Sequence, residues 1–187
     1  MAKIKTIETK HGVCRGVLKV LIAENDICPP SRECFATGSL KLNQEPTHSS
    51  IAPGEWIVTL FSPKALPDGR RCKRTIKEVL AMISDFGVPP NVMALAAALN
   101  QGLYKVAMDF PDVSSNVDVF FLALGTACPS PKGCCNLCPY FCHPTWKKEK
   151  ITHSRFFLLA ENVPIPRSPV PVFLTQEMCE KLGMKMA

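Results

Sequence analysis

Apolar positions fall into blocks of two kinds along the chain. The early blocks, Lys3–Thr9, Val13–Ile22 and Phe35–Leu42, set β-branched and aliphatic residues between Gly, Pro and Asn breaks, and these predict strands. Glu55-Trp56-Ile57-Val58-Thr59-Leu60-Phe61 is apolar almost without interruption, so this strand is expected to be covered on both faces. The spacing then becomes helical. Ile76, Val79, Leu80, Ile83 and Phe86 follow Thr75-Ile76-Lys77-Glu78, in which Thr75 can accept from the amide three residues on and Glu78 can reach back; Gly87 supplies a stop. Pro89-Pro90 introduces a second helix, Asn91 to Asn100, closed by Gly102, and its Leu95–Leu99 stretch is wholly apolar, as suits a buried helix.

Strand patterns return at Leu103–Phe110, Val117–Leu124 and Arg155–Ala160, and a short helix is expected from Thr175 to Leu182 before Gly183. The order β-β-β-β-α-α-β-β-β-α predicts an α+β fold. It consists of a mainly antiparallel sheet with two central helices and a short C-terminal helix, the helices lying on one face. The run Val163–Val172 contains Pro166-x-x-Pro169; it fits an edge segment crossing a sheet better than a ligand for a proline-binding groove.

Composition narrows the class. A chain of 187 residues with 47% hydrophobic residues can bury a core, and a single domain over 1–187 is the expectation. Seventeen prolines, about twice the usual share, predict many loops and short elements. The start of the chain lacks the apolar core of a signal peptide, no stretch approaches the ~18 apolar residues of a membrane span, and no Asn-x-Ser/Thr sequon occurs. These features predict an intracellular protein of the cytoplasm or nucleus, not secreted and without a transmembrane segment, whose thiols meet a reducing medium.

The candidate chemistry is concentrated in Cys128-Pro-Ser-Pro-Lys-Gly-Cys134-Cys135-Asn-Leu-Cys138-Pro-Tyr-Phe-Cys142-His143. Zinc takes four N or S ligands in a tetrahedron, and short spacers such as Cys135-x2-Cys138 supply two from one turn. The expectation is a structural zinc ion in a Cys-rich loop at 128–146, with ligands among Cys128, Cys134, Cys135, Cys138, Cys142 and His143; Cys134 and Cys135, being adjacent, do not easily both ligate one ion. Lys148 stands where a retroviral-type knuckle would carry its last cysteine. Disulfide stapling, or thiols that are simply buried or exposed, are the alternatives. Cys28 and Cys34 have poor spacing for a zinc turn and are read as loop or core cysteines. No acidic residue lies between Asp118 and Glu149, so a zinc site here lacks a local general base and is read as a scaffold.

Charge adds a partner. Lys+Arg total 22 against 16 Asp+Glu, a net charge of +6, which permits a polyanion. Arg70, Arg71, Lys73 and Arg74 form the densest basic run, and Lys147, Lys148 and Lys150 follow the cysteine cluster beside Trp146 and Tyr140. Cations next to exposed aromatics suit single-stranded nucleic acid, in which charge tracks phosphates and rings stack on bases. An anionic membrane surface is a weaker outlet for the same charge. Phosphate loops, dinucleotide fingerprints, Ser elbows and HExxH are missing; His11-x2-Cys14 is the nearest approach to a nucleophile with a base. The chain is therefore read as a non-enzymatic, zinc-stabilised nucleic-acid-binding protein. The alternatives are a self-associating structural or assembly protein, such as a viral matrix or coat component, and a small thiol or metal enzyme.

Overall fold

The computed structural model describes residues 6–26, 30–35, 41–64, 74–108, 119–143, 157–165 and 169–184. In chain order, strands β1 (Thr6–Glu8), β2 (Gly12–Ile22), β3 (Thr47–His48) and β4 (Gly54–Pro63) precede helices α1 (Ile76–Ser84), α2 (Val92–Asn100) and α3 (Leu103–Met108). Strands β5 (Val119–Leu122), β6 (Thr126–Pro129), β7 (Asn136–His143), β8 (Phe157–Ala160) and β9 (Val170–Leu174) follow, and α4 (Gln176–Lys181) comes last. The α+β class and the antiparallel pairing are as expected, but the strands form two sheets instead of one.

The first sheet has the order β1-β2-β4-β9, antiparallel throughout. Residues Ile57 to Phe61 of β4 are all buried, as its apolar run requires. Alternate residues of a strand face opposite sides. Val58 and Leu60 accordingly pack with α2 and α3, whereas Ile57 and Phe61 pack with Ile76, Val79 and Ile83 of α1 and Cys179 of α4. The helices thus cover both faces of this sheet, not one. The register of β2 on β4 slips between Arg15 and Leu18, where Gly16 and Val17 oppose Thr59 alone. Gly16 takes φ 70° in this bulge, and the buried Thr59 hydroxyl donates to the Gly16 carbonyl at 2.8 Å.

Both central helices begin on side-chain caps, the one at Thr75 as the sequence promises. Thr75 Oγ1 accepts from the Glu78 amide at 3.3 Å, and Glu78 Oε2 accepts from the Thr75 amide at 2.7 Å. Asn91 Oδ1 accepts from the Ala94 amide at 2.9 Å, and its Nδ2 donates to the Ser49 carbonyl at 3.0 Å. The Val92 amide donates to Thr126 Oγ1 at 3.0 Å, which fixes the start of α2 to the second sheet.

One expected strand is replaced by a helix. Leu103–Met108 is a helix; Leu103 and Ala107, four apart, are its buried positions. Of the expected strand Phe35–Leu42, Phe35 closes a 3-10 turn, Arg32–Phe35, and 36–40 lie outside the described residues.

The second sheet is built on β7. β5 and β6 lie end to end along one edge of it, β8 pairs with the other edge, and β3 adds to β6. A proline explains the break between β5 and β6. The Ala123 amide donates to the Pro139 carbonyl at 2.9 Å, but Pro139 has no N–H to return. The Ala123 carbonyl instead accepts from the Thr126 amide at 2.9 Å, and the resulting turn divides the strand.

Candidate functional site

The cysteine-rich stretch is a β-hairpin and not a loop. β6 and β7 pair Cys128 with Leu137 and Pro129 with Asn136. Six residues turn between them, closed by the Ser130 amide on the Cys135 carbonyl at 3.0 Å and the Gly133 amide on the Ser130 carbonyl at 2.8 Å. Gly133 sits at φ 66°, a left-handed position that suits glycine.

Strand geometry disperses the proposed ligands. Cys128 faces the same side as its partner Leu137, so the next residue, Cys138, faces the other side. Cys128 joins the core with Phe121 and Phe141, and Cys138 joins the opposite cluster with Leu122 and Leu124. Burial pushes the Cys128 thiol up to about 12 and the Cys138 thiol higher still, so both are neutral and pack as small apolar groups. Cys142 shares a face with Cys138 but stands four residues along, roughly 13 Å away, whereas two ligands of one zinc lie within about 4 Å of each other. The backbone of His143 ends β7 opposite Val119; its side chain lies outside the described residues. Among the described residues no group of three or more His, Cys, Asp or Glu is gathered for a metal ion.

Cys134 and Cys135 are the exception to this dispersal. Their sulfurs lie 3.7 Å apart at the hairpin tip, and Cys134 Sγ is 3.9 Å from Ser130 Oγ. Hydrogen bonding to Cys135, with a smaller contribution from Ser130, holds the Cys134 thiol below the ordinary value, while Cys135 is raised by desolvation. Cys34 is an exposed free thiol; Cys28 lies outside the described residues.

Of the expected nucleic-acid residues, Arg70, Arg71, Lys73, Trp146, Lys147, Lys148 and Lys150 lie outside the described residues. Arg74 is half-buried before the α1 cap; its carbonyl accepts from the Ile165 amide at 2.9 Å, so its backbone belongs to the framework. The described residues carry eleven Lys and Arg against eleven Asp and Glu, so the whole of the +6 resides in the remaining segments. His11 does not activate a thiol. Its Nε2 lies 2.6 Å from Asp85 Oδ2, which also pairs with Lys10 at 2.8 Å, and Cys14 is buried with its thiol pushed up to about 12.

Register reveals one surface feature that linear spacing hides. Phe120 pairs with Cys142, and Tyr140 pairs with both Leu122 and Phe157, which sets Phe120, Tyr140 and Phe157 on one face of β5, β7 and β8. Ring centroids are 5.6 Å apart for Phe120 and Tyr140, and 5.5 Å for Tyr140 and Phe157. Farther along this face Leu122, Cys138 and Leu159 pack into the core with α1. The aromatic row emerges beyond that cover: Phe120 and Tyr140 are half-buried, and Phe157 is 52% exposed. Tyr140 alone was conspicuous in the sequence; its neighbours come from strands about twenty residues away on either side.

The molecule is thus defined as an α+β protein of two antiparallel sheets, with an aromatic row and a dithiol tip on the second sheet. No helix among the described residues is long and apolar enough to cross a membrane. Comparison with protein-family models, curated proteins and solved structures finds no match to the chain.

Proposed function

We propose that this chain is a non-enzymatic protein that binds single-stranded nucleic acid on the aromatic end of its second sheet. The observation that carries the proposal is the row Phe120–Tyr140–Phe157 at the point where the basic segment begins. β7 ends at His143 and β8 begins at Phe157, so Trp146, Lys147, Lys148 and Lys150 are tethered at both ends to the strands that carry the row. Bases stack on the rings at about 1–3 kcal/mol each, and the lysines neutralise phosphates and release counterions. Arg70, Arg71 and Lys73 are assigned to the same polyanion, since with Arg74 they form the densest basic run of the chain. Zinc has no part in this proposal.

The test is fluorescence anisotropy with a labelled oligouridylate. Phe157→Ala and Tyr140→Ala should each weaken binding by roughly 5- to 150-fold. Replacing Lys147, Lys148 and Lys150 with alanine should flatten the slope of log K against log salt by about 2, at about 0.7 per phosphate contact. Binding unchanged in both sets would defeat the proposal.

A second reading, self-association, is favoured by β8: among the described residues it pairs with β7 alone, and its outward Phe157 is exposed. It predicts a dimer that Phe157→Lys dissociates, which sedimentation velocity resolves in the absence of nucleic acid.

A further inference from the structure

The hairpin tip holds its two consecutive thiols in an arrangement that an extended chain cannot provide. Neighbouring side chains on a strand point to opposite faces. Here Gly133, at φ 66°, and the Ser130–Cys135 backbone bond turn the chain so that Cys134 and Cys135 bring their sulfurs to 3.7 Å. A direct bond between them is poorly accommodated. Consecutive Cα atoms lie about 3.8 Å apart across a trans peptide, whereas disulfides span about 4.4–6.8 Å. An atom bonded to both sulfurs is accommodated well: two metal–sulfur bonds of about 2.3 Å at a tetrahedral angle set the sulfurs about 3.8 Å apart. The tip is open to solvent, since Cys134 is exposed and Cys135 half-buried. The base of the turn is braced independently, because Asn136 donates through its amide to Glu161 Oε1 at 3.2 Å and through Nδ2 to Glu161 Oε2 at 3.3 Å.

We propose that Cys134 and Cys135 form a two-sulfur chelate for a soft, thiophilic ligand, either a d10 metal ion or a trivalent metalloid, separate from the aromatic row. The two sulfurs fill two coordination positions and leave the others to solvent or to a group from another molecule.

The test uses the reduced full-length protein with phenylarsine oxide and, separately, cadmium. In the arsenical reaction two As–S bonds form, two S–H bonds break, and the arsenic-bound oxygen leaves with both protons as water; no oxidation state changes. The expected result is one arsenical per chain by intact mass, loss of two of the ten thiols to a thiol-counting reagent, and release by a 1,2-dithiol but not by a monothiol. Cys134→Ser and Cys135→Ser should each abolish the adduct, and Cys142→Ser should retain it. Cadmium should produce a sulfur-to-metal absorbance that disappears in the same two variants if the ligand class includes metal ions; the arsenical adduct without that absorbance restricts the class to metalloids. Thermal melts superimposable on the parent exclude misfolding as the cause. An adduct that persists in both serine variants, one that consumes a single thiol, or no adduct in the parent would overturn the assignment.

Discussion

Thr59→Val keeps the shape of a fully buried side chain and removes one hydroxyl. In the parent that hydroxyl donates to the Gly16 carbonyl at 2.8 Å, with the Arg15 carbonyl at 3.3 Å, and so fastens the bulge of β2 against β4. The bulge takes Gly16 out of register with β4, and Thr59 itself has no exposure. Leaving this part-buried carbonyl without its donor costs toward the lower end of about 1–3 kcal/mol. A methyl in place of the hydroxyl, packed between Ile57 and Phe61, returns at most about 0.8 kcal/mol. The net loss should be about 0.5–2 kcal/mol, which for a protein of this size lowers Tm by about 1–8 °C. Urea unfolding followed by circular dichroism gives the free-energy difference, with an unchanged m-value as the sign that compactness is preserved. A variant as stable as the parent, or more stable, would refute the claim that this hydroxyl secures the bulge.

Three further outcomes are expected. In Gly125→Ala the new Cβ would overlap Ser49 Oγ and the Pro89 carbonyl oxygen and approach Pro90 C at 2.8 Å; a loss of about 2–3 kcal/mol should lower Tm by roughly 4–12 °C in a calorimeter, and a neutral substitution would contradict the packing at the α2 start. His48 is held below the ordinary imidazole value by burial, which outweighs the opposing charge of Glu45, and its Nδ1 shares a 3.0 Å hydrogen bond with the Thr126 hydroxyl that receives the Val92 amide. The unfolded chain therefore takes up this proton first, so stability should be full above about pH 7 and fall as the pH drops through about 6.5; urea titrations should show a shallower decline in His48→Asn, and identical pH slopes would refute the assignment. Because the β6–β7 hairpin closes on backbone bonds and buried apolar groups, exhaustive dialysis against a chelator should leave Tm unchanged, whereas a marked drop would restore a structural metal.

Local signals were the legible ones. The capping box at Thr75, the N-cap at Asn91 and the apolar spacing behind them determine α1 and α2 through contacts within a few residues, and β4 declares its burial on both faces by composition. What the linear sequence hides has a nonlocal cause. Pro139 and Pro171 each lie in a strand although neither can donate to a ladder. The donor missing at Pro139 is absorbed by the turn at Ala123–Thr126, and the one missing at Pro171 points away from β4, on the side where Phe173 bonds to Val88. Once 136–143 is extended, the pleat sends its thiols to alternate faces, a separation that linear cysteine spacing does not display. The aromatic row needed the pairing of three strands before its members could be seen together.

The position of β9 has a consequence for how the chain is made. β4 is apolar on both faces, and its outer edge is taken by Val170–Leu174, the last strand in the order of synthesis. A ribosome must therefore release more than a hundred further residues after β4 before that edge can close. Phe173 enters one core cluster while Val170, Val172 and Leu174 enter the other, so neither is complete in the nascent chain. For that interval the growing polypeptide presents an adhesive strand to its neighbours, and yield in the cell should depend on the rate of elongation and on chaperone supply as much as on the final stability.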